Sequence, residues 1–257
     1  MLFHYTSYEG FKAIVENRCL WHSDVRYLND YQEVLFGKRL LADVYELAKE
    51  GPTVANCAVL ERVIPSVVDI ELTAFACSFS ASPDLLSQWR GYSGGSGISL
   101  GFNALILEHH LGTPLTTIQY GEQQLTTRFH DALQMVASRG VESGSEDGLV
   151  KNFQTMIFSA KSAAFQEENE IRSVLTVEQA LHHQHVKDPK VKYRTVGALL
   201  VPYVELSLGP VWDAVIQEIW IGPSRHGDLA WQSVREFADY HELGKVDVRK
   251  SGVPYRT

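Results

Sequence analysis

Three carboxylates, Glu167, Glu168 and Glu170, fall within four residues, and Arg172 follows at the mouth of an apolar run that ends near Val177. Side chains two positions apart on a β-strand share a face. A strand that begins near Glu168 sets Glu168, Glu170 and Arg172 on one face, with Ile171, Leu175 and Val177 on the other. Two carboxylates beside a guanidinium can polarise a hydroxyl or stabilise a cationic transition state. The same pattern also describes a solvated strand edge that carries a charge pair.

Polar groups gather at three further places. His4 and Tyr5 end a short aromatic strand. Thr6 and Glu9 then have the spacing of a capping box for a helix marked by Phe11, Ile14 and Val15. The N–H groups and dipole of a helix start favour an anion such as a phosphate, whereas a lone His-Tyr pair also suits packing. From Thr73 to Ser80 the chain alternates. Phe75, Cys77 and Phe79 point one way, and Ala74, Ala76, Ser78 and Ser80 the other. The second face is small and ends in two hydroxyls, so a ligand could approach its backbone. Trp89 and Arg90 set an aromatic plane beside a bidentate donor, which suits a nucleotide base and a phosphate; packing is the equal alternative for Trp89. Gly94, Gly95 and Gly97 lack a phosphate-loop lysine and read as a flexible connection into the strand Ile98 to Phe102.

Around these residues the pattern predicts alternating strands and helices of an α+β fold. After a strand from Leu20 to Tyr27, Asp30 is placed to cap a helix reaching about Glu50. A second helix covers about Thr53 to Ile64, and Pro65 breaks or kinks it. These two read as a helical insertion at about 31–72 within a single domain. Strands are predicted at Leu115 to Tyr120, Val191 to Val196, Ala198 to Val204, Ile216 to Ile221 and Lys245 to Arg249. Helices are predicted at Glu122 to Ser138, Leu149 to Ala164 and Arg225 to His241, with a Gly- and Ser-rich loop from Gly140 to Gly148.

The chain has 257 residues, 45% of them hydrophobic, enough for a full core. Its net charge of −8 argues against a general nucleic-acid binder. A nucleic-acid partner would need a local patch, such as Lys187, Lys190, Lys192 and Arg194, or Lys245, Arg249, Lys250 and Arg256; both read first as solvated surface. Cys19, Cys57 and Cys77 are too few and too scattered for a disulfide framework or a zinc site. His182 and His185 have a metal-like spacing but no acidic partner nearby, so no metal site is expected. The start of the chain lacks a basic, apolar leader, and no apolar run is long enough to span a membrane. A cytoplasmic protein with no membrane partner is the expectation.

Several segments together resemble a large bacterial family labelled as a domain of unknown function. They are His4-Tyr5-Thr6-Ser7, Tyr27-Leu28-Asn29-Asp30, Ser78-Phe79-Ser80, Gln88-Trp89-Arg90-Gly91-Tyr92, Phe165 through Arg172, and Ser251 through Arg256. The layout also resembles, more distantly, ADP-ribosyltransferase-like toxins of phage-defence and toxin–antitoxin systems. There a His or Arg strand, a Ser-Thr-Ser strand and a Glu-x-Glu strand follow in order; here the counterparts are His4, Ser78-Phe79-Ser80 and Glu168-Asn169-Glu170. Phe79 in place of Thr and the insertion depart from the pattern. The resemblance implies a mixed, split antiparallel sheet and NAD as co-substrate. It implies Glu170 on the ribose 2′-hydroxyl, Glu168 at the acceptor, and His4, Tyr5 and Thr6 around the dinucleotide. Ser78 and Ser80 would position Glu170 and nicotinamide, and Trp89 and Arg90 would take base and pyrophosphate. The acceptor would be a macromolecule, RNA first, and an antitoxin protein would restrain the toxin. An NAD glycohydrolase on the same scaffold, or a non-enzymatic nucleotide- or partner-binding module, are the alternatives. A metal-dependent nuclease would need more converging carboxylates.

Overall fold

A computed structural model describes residues 1–27, 31–69, 74–139, 146–177 and 190–254. In chain order the elements are β1 (Leu2–Thr6), α1 (Tyr8–Asn17), β2 (Cys19–Asp24), α2 (Tyr31–Ala48), α3 (Pro52–Ala55), α4 (Ala58–Val68), β3 (Ala74–Ser80), α5 (Leu86–Tyr92), β4 (Ile98–Phe102), α6 (Ala104–Leu111), β5 (Leu115–Thr117), β6 (Gln119–Tyr120), α7 (Glu122–Arg139), α8 (Glu146–Phe158), β7 (Ala160–Lys161), β8 (Glu170–Thr176), β9 (Lys192–Val196), β10 (Leu199–Ser207), β11 (Ile216–Ile221) and β12 (Asp247–Lys250), with a long helix, Gly227–Tyr240, between the last two strands. The fold is α+β with a mixed sheet, as the alternating signals predict.

The chain divides into two compact units. The first contains Met1–Asp24, Phe75–Leu115 and Glu167–Thr257; the second contains Val25–Ala74 and Thr116–Gln166. The helices expected as an insertion at about 31–72 thus form one half of a unit whose other half comes from much later in the chain.

The first unit is built on a sheet of strand order β12-β11-β4-β1-β3-β2-β10-β9, with β8 pairing β3 off this path. Most pairs are antiparallel, and β11 with β12 is parallel. Pairing is uneven at the centre. β1 runs along β4 for its whole length, from Leu2↔Phe102 to Thr6↔Ile98, yet meets β3 at the single register pair Phe3↔Ser80. The other end of β3 pairs β2 through Ser23↔Ala76 and Asp24↔Phe75. The sheet therefore opens between β1 and β3.

One sheet face is closed by apolar side chains. Phe75, Cys77 and Phe79 from β3 join Ile98, Leu100 and Phe102 from β4, Phe11, Ile14 and Val15 from α1, and Ile219 and Ile221 from β11 in one cluster. The predicted apolar face of β3 is thus its core face. Phe3, Tyr5 and Trp89 form a second, smaller cluster. Below it two backbones touch: the Gly222 N–H donates to the Gly97 carbonyl at 2.8 Å. A Cβ at Gly97 would sit 2.4 Å from the Thr6 carbonyl oxygen, and one at Gly222 would sit 2.9 Å from both the Gly97 nitrogen and the Trp89 ring. Neither position has room for a side chain.

In the second unit α2 packs on α4, α7 and α8, and β6 pairs β7 in parallel. Leu41 and Val44 from α2, Leu60 and Ile64 from α4, Phe129 and Leu133 from α7 and Phe153 and Ile157 from α8 are buried. Pro65 lies inside α4, which runs through it to Val68. The helix predicted to reach Ala164 stops at Phe158; β7 and a 3-10 stretch, Ala163–Glu168, follow. No helix among the described residues is long and apolar enough to cross a membrane. The Asp30 cap and the His182–His185 cluster lie outside the described residues.

Candidate active site

All nine residues singled out from the sequence fall in the first unit. His4 is the third residue of β1 and half-buried. Its Nδ1 lies 2.9 Å from the Ser78 carbonyl oxygen and 3.8 Å from Cys77 Sγ. Burial pulls its pKa below the ordinary value; the Ser78 carbonyl opposes that, and the charge of Arg194 adds to it. A neutral imidazole that donates from Nδ1 keeps Nε2 as an acceptor. Cys77 beside it is a thiol pushed up to about 12 by burial.

Ser78 and Ser80 share a face of β3, as alternation requires. Ser80 is buried, and its Oγ donates to the Glu168 carbonyl at 2.7 Å. One residue on, the Ala81 N–H donates to the Asn169 carbonyl at 2.9 Å. The end of β3 is therefore laced to the stretch that carries the carboxylates. Glu168 closes the 3-10 stretch, Asn169 has φ 45°, and only Glu170 begins β8. The strand starts two residues later than expected because a left-handed residue, tolerated best by Gly and Asn, interrupts the alternation. Glu168 consequently does not share a strand face with Glu170.

Glu170 and Arg172 do share a face, and both are buried. Arg172 Nε donates to Glu170 Oε1 at 2.5 Å and Nη2 to Oε2 at 2.9 Å. This fork fixes the plane of the carboxylate and leaves further lone pairs on its two oxygens. The charge pair foreseen as a solvated edge is in fact enclosed.

Three expectations need correction. Tyr5 is not open to a dinucleotide: it is buried, its OH donates to the Ser82 carbonyl at 2.9 Å and accepts from the Leu85 N–H at 3.0 Å, and burial raises its pKa. Trp89 has no exposed surface. Its ring meets Tyr5 edge-on at 4.7 Å, and its Nε1 donates to Asp84 Oδ1 at 2.7 Å, so it belongs to the core. The helix cap is Ser7, whose Oγ accepts from the Gly10 N–H at 3.1 Å; Thr6 is the last residue of β1. Arg90 is exposed on α5 and has no partner among the described residues.

One residue was assigned to solvent that the structure draws inward. Arg194 on β9 is half-buried. Its Nη2 donates to Ser23 Oγ at 2.9 Å, and its guanidinium lies 5.6 Å over the Trp21 ring. Alternation along β9 from Lys192 was the signal available in the sequence. No group of three or more His, Cys, Asp or Glu among the described residues is arranged to hold a metal ion.

No family model matches this chain, and comparison with curated proteins and with solved structures gives no match either.

Proposed function

We propose that the first unit is an NAD-dependent mono-ADP-ribosyltransferase, in keeping with the resemblance of its three motifs to that class. One observation carries the reading. Residues from three distant parts of the chain are hydrogen-bonded in series: His4 to the Ser78 carbonyl, Ser80 to the Glu168 carbonyl, and Ala81 to the Asn169 carbonyl. The opening of the sheet between β1 and β3 lies at the first of these links and accords with a split-sheet architecture of that type.

The chemistry asked of the residues is modest. Departure of nicotinamide from NAD leaves an oxocarbenium-like ribose, as glycoside cleavage does. Glu170, held by Arg172, accepts the ribose 2′-hydroxyl and opposes the developing positive charge. Glu168 serves the acceptor nucleophile. His4 Nε2 accepts from a ribose hydroxyl, while Ser78 and Ser80 hold the end of β3 against the carboxylates. The acceptor proposed is a macromolecule, with RNA first, and restraint by an antitoxin protein fits a toxin or phage-defence role.

The test is incubation of the purified protein with labelled NAD and separate pools of RNA, DNA and protein, beside Glu170→Gln. Transfer of label to one pool is expected, with a loss on the order of 10²-fold or more in the variant. Because Glu170→Gln leaves the Arg172 charge enclosed, its melting temperature must be measured alongside. Nicotinamide release without transfer would instead make the protein a glycohydrolase. A protein that neither binds nor turns over NAD would leave a binding module.

A further inference from the structure

Residues 81–85 join β3 to α5, leave the candidate site directly after Ser80, and are held at three points. From β1 the Tyr5 hydroxyl bridges them, donating to the Ser82 carbonyl and accepting from the Leu85 N–H. At their start the Ser82 N–H donates to Ser80 Oγ at 3.2 Å. Near their end the Asp84 carboxylate collects three donors. Trp89 Nε1 and Ser251 Oγ donate to Oδ1 at 2.7 Å and 2.5 Å, and the Gly252 N–H donates to Oδ2 at 2.8 Å.

The three donors differ in origin. Trp89 is a fully buried neighbour on α5, whereas Ser251 and Gly252 lie 167 and 168 residues beyond Asp84. They follow directly on β12, which ends at Lys250. The Ser251 N–H donates to the Ile221 carbonyl at 2.8 Å, and its hydroxyl also accepts from the Val253 N–H at 3.0 Å. Val253 packs on the cluster of Phe3, Tyr5 and Trp89. Bonds to an ionised carboxylate are roughly twice as strong as neutral ones. Gly252 and Pro254 are exposed, so this contact can part without opening the core.

From Asp84 a connected path reaches the carboxylates. The loop fixes Ser80 Oγ through the Ser82 N–H, and that oxygen donates to the Glu168 carbonyl. The Ala81 N–H holds the Asn169 carbonyl. Asn169 is the left-handed residue between Glu168 and Glu170, and such a conformation persists where its surroundings impose it. Every member of the path belongs to the first unit.

We infer that Asp84 is a positioning residue and that residues 251–253 are a latch closed on it, which together set the turn of Glu168 and Asn169 ahead of Glu170. The latch stands on these hydrogen bonds; its consequence for turnover rests on the function proposed above.

The experiment is amide hydrogen exchange of the whole chain, read residue by residue. Ser251→Ala removes the latch hydroxyl and leaves Trp89 on Asp84. The Ala81, Ser82 and Gly252 amides are expected to exchange roughly tenfold faster, the scale of a lost charge-assisted hydrogen bond, while amides of β2 and β10 keep their parental rates. Ser251→Thr keeps the hydroxyl and should restore protection. Asp84→Asn should act in the same direction as Ser251→Ala; if it does not fold, the two Ser251 variants decide. Faster exchange confined to residues 251–253, or spread evenly over the first unit, overturns the latch. In NAD turnover, Ser251→Ala should lower kcat several-fold with KM unchanged, and Ser251→Thr should recover it. An unaltered kcat overturns the positioning role. A parent without NAD turnover sinks the transferase reading, and the exchange pattern then decides the latch by itself.

Discussion

Each unit encloses an ion pair, and the two are built differently. In the first unit Glu170 and Arg172 stand two residues apart on one strand and meet through a two-pronged fork. In the second, Lys161 of β7 lies 3.4 Å from Glu33 of α2, with its ammonium 5.0 Å from the Phe165 ring. The strand pair closes no loop, because its partners are neighbours whatever the rest of the chain does. The Lys161–Glu33 pair joins the two separate segments of its unit. A local pair can fix the orientation of a carboxylate without deciding the topology, whereas a distant pair selects one assembly of helices and contributes little to a reaction. The desolvation of both pairs opposes their attraction, so neither is a simple gain in stability.

That contrast can be broken by mutation. The largest effects are expected from removing one partner. Lys161→Met should destabilise the second unit by about 3–5 kcal/mol, since the enclosed Glu33 carboxylate loses the ammonium beside it. Arg172→Met should cost the first unit about the same. Denaturant melts give the size, and hydrogen exchange assigns the loss to α2 and β7 or to β8. Equal loss of protection in both units would abolish the distinction.

Replacing both partners sharpens it. Glu33→Leu with Lys161→Met should return stability to within about 1–2 kcal/mol of the parent, as apolar substitutes often do, and the NAD turnover proposed for the first unit should survive. The corresponding Glu170→Leu with Arg172→Met should recover stability yet stay inactive. Activity in that second double variant would remove Glu170 from the chemistry.

The smallest effect concerns a half-buried group that gives up its charge instead of pairing it. The His4 pKa in the fold lies below its ordinary value of 6.5. The unfolded chain therefore binds that proton more readily. Stability is full above pH 6.5 and declines as the pH falls from there towards the lower folded value. His4→Gln should flatten the melting temperature between pH 7 and 5. An unchanged slope would mean that other groups carry it.

Much of the fold was legible because its signals are local. Alternation gave β3 and its two faces, and β4 and β11 fall where runs of apolar residues end in turn residues. The helix α6 went unread, although Asn103 caps it through bonds to the Leu105 and Ile106 N–H groups. The partnership of residues 25–74 with 116–166 depends on packing between distant segments, which periodicity does not encode. The site divides in the same way. Residue types picked out His4, Ser78, Ser80 and Glu170, but type alone could not say that Tyr5 and Trp89 spend their polar groups on Ser82, Leu85 and Asp84. Nor could it separate Arg194 from its basic neighbours, since enclosure by Trp21 is a tertiary fact. Asn169 shows the limit at one residue: its left-handed turn moves Glu168 off the strand.

The contact between Gly97 and Gly222 beneath Trp89 bears on ancestry. Any descendant or cousin that retains this sheet must keep both glycines, because even alanine would collide with backbone there. Surface charges and helix lengths carry no such steric constraint. A tryptophan, a glycine eight positions later at the start of a strand, and a second glycine directly after the partner strand therefore make a fingerprint by which remote kin could be gathered when overall identity has faded.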